Sequence, residues 1–200
     1  MKRSLHLILI LALFASLFLG CGCLACADEN GVILTLYVRN EEGNTELVKS
    51  YTADMLANLI KKDDSAAYVY YKEGATNAVV ATEYVPFDDL LADAAVDFGP
   101  MQKLAFECVD GLYEKGDFSY ETLSQRGMDS NGVAVPTAIA LTWAEDNLDE
   151  TTISGIATKA ENTGCLRFVC GMTAEEAEKM TASGSRMPID IISITILPMN

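Results

Sequence analysis

The residues with the widest chemical repertoire in this chain are its six cysteines, which fall into two groups. The first group stands near the N-terminus and the second lies far along the chain: Cys21, Cys23 and Cys26, then Cys108, Cys165 and Cys170. The odd number in the second group predicts at least one free thiol, unless the chain dimerises through it or an N-terminal cysteine is retained and pairs.

Cys108 is the candidate for thiol chemistry, as a nucleophile or a metal ligand. Either role requires a basic neighbour that lowers the pKa of the thiol. The only histidine is His6, which lies in a predicted export signal. The mature chain therefore lacks Ser-His-Asp and Cys-His catalysis and histidine metal sites. We expect Cys108 to be a buried structural cysteine, with a metal-thiolate role as the alternative.

Two further clusters have a chemical and a structural interpretation. A cluster of oxygen-bearing side chains could offer ligands to Ca²⁺: Glu145, Asp146, Asn147, Asp149 and Glu150. The cluster lacks the glycine and the spacing of a calcium loop, which favours a solvated loop. The tyrosines at 68, 70 and 71 suggest either one face of a sheet or a ligand-stacking surface, and we favour the sheet face.

Cys165 and Cys170 share a predicted strand at odd spacing and point to opposite faces, so they are not expected to form a disulfide with each other. A disulfide between Cys108 and one of them stays open.

The spacing of apolar residues predicts one α+β domain, mostly β with short helices, over residues 28–200. Thr52, Pro86 and Thr173 mark helix starts, and Asp88 and Asp89 fall in the first turn of the second helix, where the helix dipole favours them. The predicted strands cover Val32–Arg39, Thr45–Tyr51, Ala66–Lys72, Ala78–Glu83, Lys103–Val109, Ala138–Ala144, Gly164–Gly171 and Ile189–Leu197. Ser119–Gln125 is a further short helix or turn.

The pattern of residues 1–27 predicts a secretory signal. Lys2 and Arg3 precede an apolar run of 15 residues that ends at Leu19, too short to span a bilayer core comfortably because that takes about 20 residues. Leu19-Gly20-Cys21 is similar to a lipobox, in which Cys21 is acylated and becomes the first mature residue. The alternative is cleavage after Ala25-Cys26-Ala27. We favour lipidation, which would anchor the domain to the outer face of a membrane; the alternative gives a secreted protein.

The charge of the chain is strongly acidic. It carries 14 basic and 29 acidic residues, and loss of Lys2 and Arg3 with the signal leaves 12 against 29, a net charge of −17. Such a field repels nucleic acid and anionic lipid headgroups, so neither is expected as a partner.

Four segments, in order, resemble the molybdopterin-binding domain of the sulfite oxidase family. They are Val85-Pro86-Phe87-Asp88-Asp89-Leu90-Leu91, the strand segment Phe106-Glu107-Cys108-Val109-Asp110-Gly111-Leu112-Tyr113, the helix Tyr120–Leu123 with the Asn131-Gly132 turn, and Leu166-Arg167-Phe168-Val169-Cys170-Gly171 before the terminal strand Ile189–Leu197. The resemblance covers roughly residues 31–197 and implies that family's fold, a molybdopterin cofactor and oxidoreductase activity.

The chain departs from the family at the site itself. The family's metal-binding cysteine precedes the Val-Pro motif, whereas this chain has no cysteine between Cys26 and Cys108, and only four arginines remain after the signal. We therefore predict a binding or accessory domain that is not catalytic, has no cofactor, and takes an unknown protein or small-molecule ligand. The alternatives are a molybdopterin-dependent oxidoreductase that uses Cys108 as its metal ligand, and an accessory subunit of a redox complex.

Overall fold

The structure, a computed structural model, describes residues 27–61, 65–129 and 131–199. Strands dominate it, and the helices are short, as the sequence predicts for an α+β domain. The strands are β1 (Val32–Arg39), β2 (Thr45–Thr52), β3 (Ala66–Lys72), β4 (Ala75–Pro86), β5 (Gln102–Cys108), β6 (Gly111–Tyr113), β7 (Ala138–Asn147), β8 (Leu166–Val169) and β9 (Ile189–Pro198). The predicted signal, with Cys21, Cys23 and Cys26, lies outside the described residues, apart from Ala27.

The strands form a mixed sheet in the order β2-β1-β9-β8-β7-β4-β3. β9 runs parallel to β1 and antiparallel to β8 and β5, and β6 extends the sheet beyond β5 as a hairpin. Because Ile191 pairs with Leu166 on one side and Cys108 on the other, β9 brings β5 and β8 close to each other. The ends of β5, β8 and β9 therefore lie around one opening at the surface of the domain.

The helices are α1 (Ala53–Ala57), α2 (Phe87–Ala94), α3 (Tyr120–Ser124), α4 (Ile153–Ala157) and α5 (Ala174–Lys179), with a 3-10 turn at Gly184–Arg186. Three N-caps follow from the sequence. The hydroxyl oxygens of Thr52 and Ser119 accept backbone N–H groups, and Thr173 forms a capping box with Glu176. Each cap satisfies a donor that a helix start otherwise leaves without a partner.

The main core lies between the sheet and α2. Phe168 of β8 packs edge-on against Phe87 at 5.8 Å and Phe118 at 5.8 Å between ring centroids, and Phe106 lies 4.7 Å from it. Alternation along β9 puts Ile194 and Ile196 into the same core. No helix in the described part of the chain is long and apolar enough to cross a membrane.

Several predicted elements differ from the structure. β7 continues through Glu145 to Asn147, so the prediction of a solvated acidic loop starting at Glu145 is wrong for its first three residues. β8 covers only Leu166–Val169, so Cys165 and Cys170 flank that strand and do not share it. β6, α4 and the 3-10 turn have no counterpart among the elements predicted from the sequence.

Candidate functional site

A cavity of about 550 Å³ opens beside the ends of β3, β7 and β8, facing the β5–β6 hairpin and the 3-10 turn. This volume falls within the range of small-molecule sites, about 300–1,000 Å³. Three basic and three acidic side chains line it: Lys72, Lys115 and Arg167, and Asp110, Glu145 and Asp190. Since the whole chain has 14 basic against 29 acidic residues, the cavity is richer in positive charge than the rest of the molecule.

Arg167 is the most enclosed charge of the cavity wall. β8 pairs with β7, and its Arg167 side chain is only 3% exposed. Arg167 Nη1 lies 2.5 Å from Glu145 Oε2, and the guanidinium carbon lies 4.7 Å from the centroid of the Trp143 ring. The other carboxylate oxygen of Glu145 accepts a hydrogen bond from the Tyr70 hydroxyl. These contacts fix the position of the guanidinium, while its Nε has no hydrogen-bond partner among the described residues.

The ionisation of this cluster follows from its contacts. Burial by itself raises the pKa of Glu145. The Arg167 charge and the Tyr70 hydroxyl lower that pKa by more than burial raises it, so the pKa of Glu145 lies below its ordinary value. Burial, followed by the Glu145 carboxylate, raises the pKa of Tyr70 above its ordinary value. At neutral pH the site therefore holds a charged Arg167–Glu145 pair and a neutral tyrosine.

Cys108, at the end of β5, is buried and also lines the cavity. Burial, followed by the negative charges of Asp110, Asp190 and Glu107, raises the pKa of the Cys108 thiol to about 11. A thiolate is the form that attacks and binds metals, so this environment disfavours both roles.

Asp190 enters the wall through a bulge in β9. Leu166 pairs with Ile191 and Arg167 with Ile189, which leaves Asp190 as the extra residue between them. Its backbone has φ of +58°, in the left-handed region that aspartate tolerates better than most residues. The carbonyl of Asp190 accepts a hydrogen bond from the Val109 N–H at 2.9 Å, which ties the bulge to the β5–β6 hairpin.

The segment 183–187 closes one side of the cavity. The Tyr113 hydroxyl donates a hydrogen bond to the Ser185 carbonyl at 2.7 Å. Gly184 lies against the Tyr70 ring, and a Cβ at this position would come within 2.9 Å of two ring carbons. A glycine is therefore required for this close approach.

The residues of the cavity fit a molybdenum–pterin group poorly. The only cysteine in its wall holds a proton at neutral pH and has acidic neighbours, which also repel an anionic pterin. Arg167, which would attract such an anion, is already paired with Glu145. Among the described residues, no group of three histidine, cysteine or acidic side chains could hold a metal ion.

A second buried charge cluster lies outside the cavity. Glu176 of α5 is 3.1 Å from Arg126 and 3.3 Å from Arg186, and the Arg186 side chain is 3% exposed. Cys170 is buried beside them, and its thiol donates weakly to the Arg186 carbonyl at 3.6 Å. Two arginines thus share one carboxylate, an arrangement that supports the packing of α5.

The candidates drawn from the sequence have different outcomes. Cys108 is buried, as expected, and it is a free thiol, so it does not pair with Cys165 or Cys170. Tyr68 and Tyr70 are buried in one cluster, as expected for a sheet face, although Tyr70 and Tyr71 also line the cavity. Asp88 and Asp89 occupy the first turn of α2, as predicted.

Sequence reasoning did not identify Lys72, Arg167 and Asp190 as site residues. For Arg167 a signal was present, because a charge within the apolar segment Leu166–Val169 needs a partner when that strand is buried. No comparable signal marks Lys72 or Asp190.

Comparison with known proteins leaves the family open: no family model matches the chain, and no curated protein shows significant similarity to it.

Proposed function

We propose that this chain is an exported binding or accessory domain, held through Cys21 at the outer face of a membrane, and that its cavity receives a small ligand. The observation that carries the proposal is the cavity of about 550 Å³ with three basic and three acidic side chains in its wall. Charged groups gathered in a concave site give a ligand both orientation and specificity.

The ionisation of the wall supports binding over catalysis. Four of its side chains have a shifted pKa, and every shift is away from neutrality: those of Cys108, Tyr70 and Tyr113 are raised, and that of Glu145 is lowered. A general acid or base works best with a pKa near the working pH. These groups keep one protonation state and act as fixed donors and charges.

For the fold, we propose a molybdopterin-binding-like domain of the sulfite oxidase type that has lost its metal site. The support is the order of the sequence segments, with Val85-Pro86 leading into α2 and the Leu166-Arg167 segment forming β8. The absence of a cysteine between Cys26 and Cys108 removes the ligand that such an enzyme requires.

One observation favours a second candidate, a molybdopterin-dependent oxidoreductase or a subunit of a redox complex. Cys108 lines the cavity, which is where a metal-binding thiolate would have to be. The acidic neighbours that keep this thiol protonated are the reason to place the candidate second.

The proposal is tested by extracting the small molecules that copurify with the native protein from its own source. Lys72→Glu reverses a charge in the cavity wall, and Lys103→Glu makes the same change at an exposed position of β5. We expect mass spectrometry to find a compound bound in near-equal amounts to the wild type and Lys103→Glu, and depleted from Lys72→Glu. An equal yield from all three proteins, or no compound from the wild type, would count against the cavity as a ligand site.

A further inference from the structure

Basic and acidic side chains are interleaved in the wall of the cavity, as the strand register shows for Arg167. Its strand, β8, lies between β7 and β9, and each of these strands brings a carboxylate. From β7, Glu145 Oε2 lies 2.5 Å from Arg167 Nη1. On β9, Ile189 is in register with Arg167, and Asp190 is the next residue along that strand. The guanidinium and two carboxylates therefore share one part of the wall.

The two lysines of the wall also have acidic residues in their own parts of the cavity. Lys72 follows Tyr70 by two residues on β3, and strand alternation puts both side chains on one face of the sheet. The Tyr70 hydroxyl donates to the Glu145 carboxylate, so Lys72 lies on the Glu145 side. Lys115 comes two residues after β6, on the hairpin whose turn carries Asp110. Charges of both signs thus meet throughout the wall.

The composition of the wall disfavours an ion and a lipid as ligands. Its three basic and three acidic side chains sum to zero net charge, and a charged group would meet a like charge beside each opposite one. Apart from the aromatic rings, Met187 and Ile189 are the large apolar side chains that the structure places in the wall. A hydrocarbon chain would therefore bury little apolar surface there. These features favour a ligand that is neutral and polar.

Hydroxyl groups suit such a wall because each one donates a hydrogen bond and accepts others. A hydroxyl between a carboxylate and a cation can do both at once, and hydrogen bonds to charged groups are stronger than those between neutral groups. Four of the six charged side chains form no ion pair within 4 Å in the described part of the chain: Lys72, Asp110, Lys115 and Asp190. They are the groups with which a ligand can form hydrogen bonds.

We propose that the ligand is a neutral carbohydrate, a mono- or disaccharide whose hydroxyl groups bind Lys72, Asp110 and Asp190. This inference rests on the proposed function and adds the ligand class. A sugar carries several hydroxyls on a rigid ring, so it reaches carboxylates and cations from one bound position without paying for the ordering of a flexible chain. Tyr71 and Tyr113, partly exposed in the same wall, add aromatic surface for the C–H groups of the ring.

The test is calorimetric titration of the full mature protein with a panel of neutral mono- and disaccharides and with the proteinogenic amino acids. The best sugar is then compared with two charged relatives, its uronic acid and the amino sugar in which an ammonium group replaces one hydroxyl. We expect each charged form to bind about tenfold or more weakly than the neutral sugar, because like charges lie beside the opposite ones.

Two isosteric variants change the net charge of the wall in opposite directions. Asp190→Asn makes the wall positive and keeps a residue type that tolerates positive φ, so it should bind the uronic acid more tightly than the wild type does. Lys72→Gln makes the wall negative and should bind the amino sugar more tightly than the wild type does. Asp149→Asn and Lys103→Gln, at exposed positions outside the cavity, should behave as the wild type.

Three results would overturn the inference: no sugar binds, a charged form binds as tightly as the neutral sugar, or an amino acid binds more tightly than every sugar. In each case the proposed function still stands if a copurified compound depends on Lys72. The failure of the ligand class and the failure of the cavity as a ligand site are therefore distinguishable.

Discussion

Removal of the single negative charge at Glu176 should destabilise the domain by a large fraction of its total stability. Glu176 is the only carboxylate that forms ion pairs with Arg126 and Arg186 among the described residues, at 3.1 Å and 3.3 Å. Those arginine side chains are 13% and 3% exposed, and three of their nitrogens have no hydrogen-bond partner in the part of the chain that the structure describes. Glu176→Gln keeps the size of the side chain and its capacity to complete the capping box of Thr173, but it leaves two buried cations without a counter-charge.

The magnitude follows from the burial of the cluster. Removing one partner of a buried ion pair costs about 3–5 kcal/mol. We take about 3 kcal/mol, because the Glu176 side chain is 21% exposed and glutamine still offers an oxygen. With an m value of about 2 kcal/mol per molar urea, the midpoint of unfolding should fall by about 1.5 M.

The control is Glu175→Gln, the same change one residue earlier in α5. Its side chain is 74% exposed and pairs with Lys179 at 2.5 Å, so it should cost less than about 0.5 kcal/mol. Urea denaturation followed by circular dichroism measures both variants. If Glu176→Gln unfolds within about 0.3 M urea of the control, the buried cluster does not stabilise the domain as argued.

Three further predictions concern export, the thiols and acid. Cys21→Ala should release the protein from membranes or leave it unprocessed, and intact mass showing an unmodified N-terminal Asp28 would contradict lipidation while leaving export intact. Cys108 is a buried free thiol, so native protein should react with iodoacetamide at this residue far more slowly than denatured protein does; equal rates would refute its burial. Asp117 and Glu145 have a lowered pKa in the fold, so their stabilisation is present above the ordinary carboxyl pKa of about 4 and is lost as pH falls below it; urea midpoints that do not fall from pH 6 to pH 3 would contradict this.

The sequence predicted those parts of the fold that depend on local pattern. The apolar residues of Val32–Arg39 and the N-caps at Thr52 and Thr173 are properties of neighbouring residues, and the structure confirms that strand and both caps. The end of β7 was not predictable in this way. Glu145 belongs to a strand because its backbone pairs with Val79 of β4, and Arg167 and Tyr70, distant in sequence, supply partners for its carboxylate. The acidic residues that follow Glu145 in the sequence favoured a solvated loop instead of a strand.

The cavity was largely beyond sequence reasoning for the same physical reason. Two of the acidic residues around Cys108, Glu107 and Asp110, are its neighbours in the sequence, but the third, Asp190, comes from a bulge on another strand. Asp190 joins the wall only because β9 carries an extra residue at that point. Such long-range placement has no local signature, whereas the buried charge of Arg167 at least required a partner.

The most direct test of the central claim, a binding domain without a metal site, is metal and pterin analysis of the mature protein made in a host that synthesises molybdopterin. We predict no molybdenum or pterin above background in the wild type, and no change in Cys108→Ser. Stoichiometric molybdenum in the wild type that disappears in Cys108→Ser would contradict the claim and establish Cys108 as the metal ligand of an oxidoreductase.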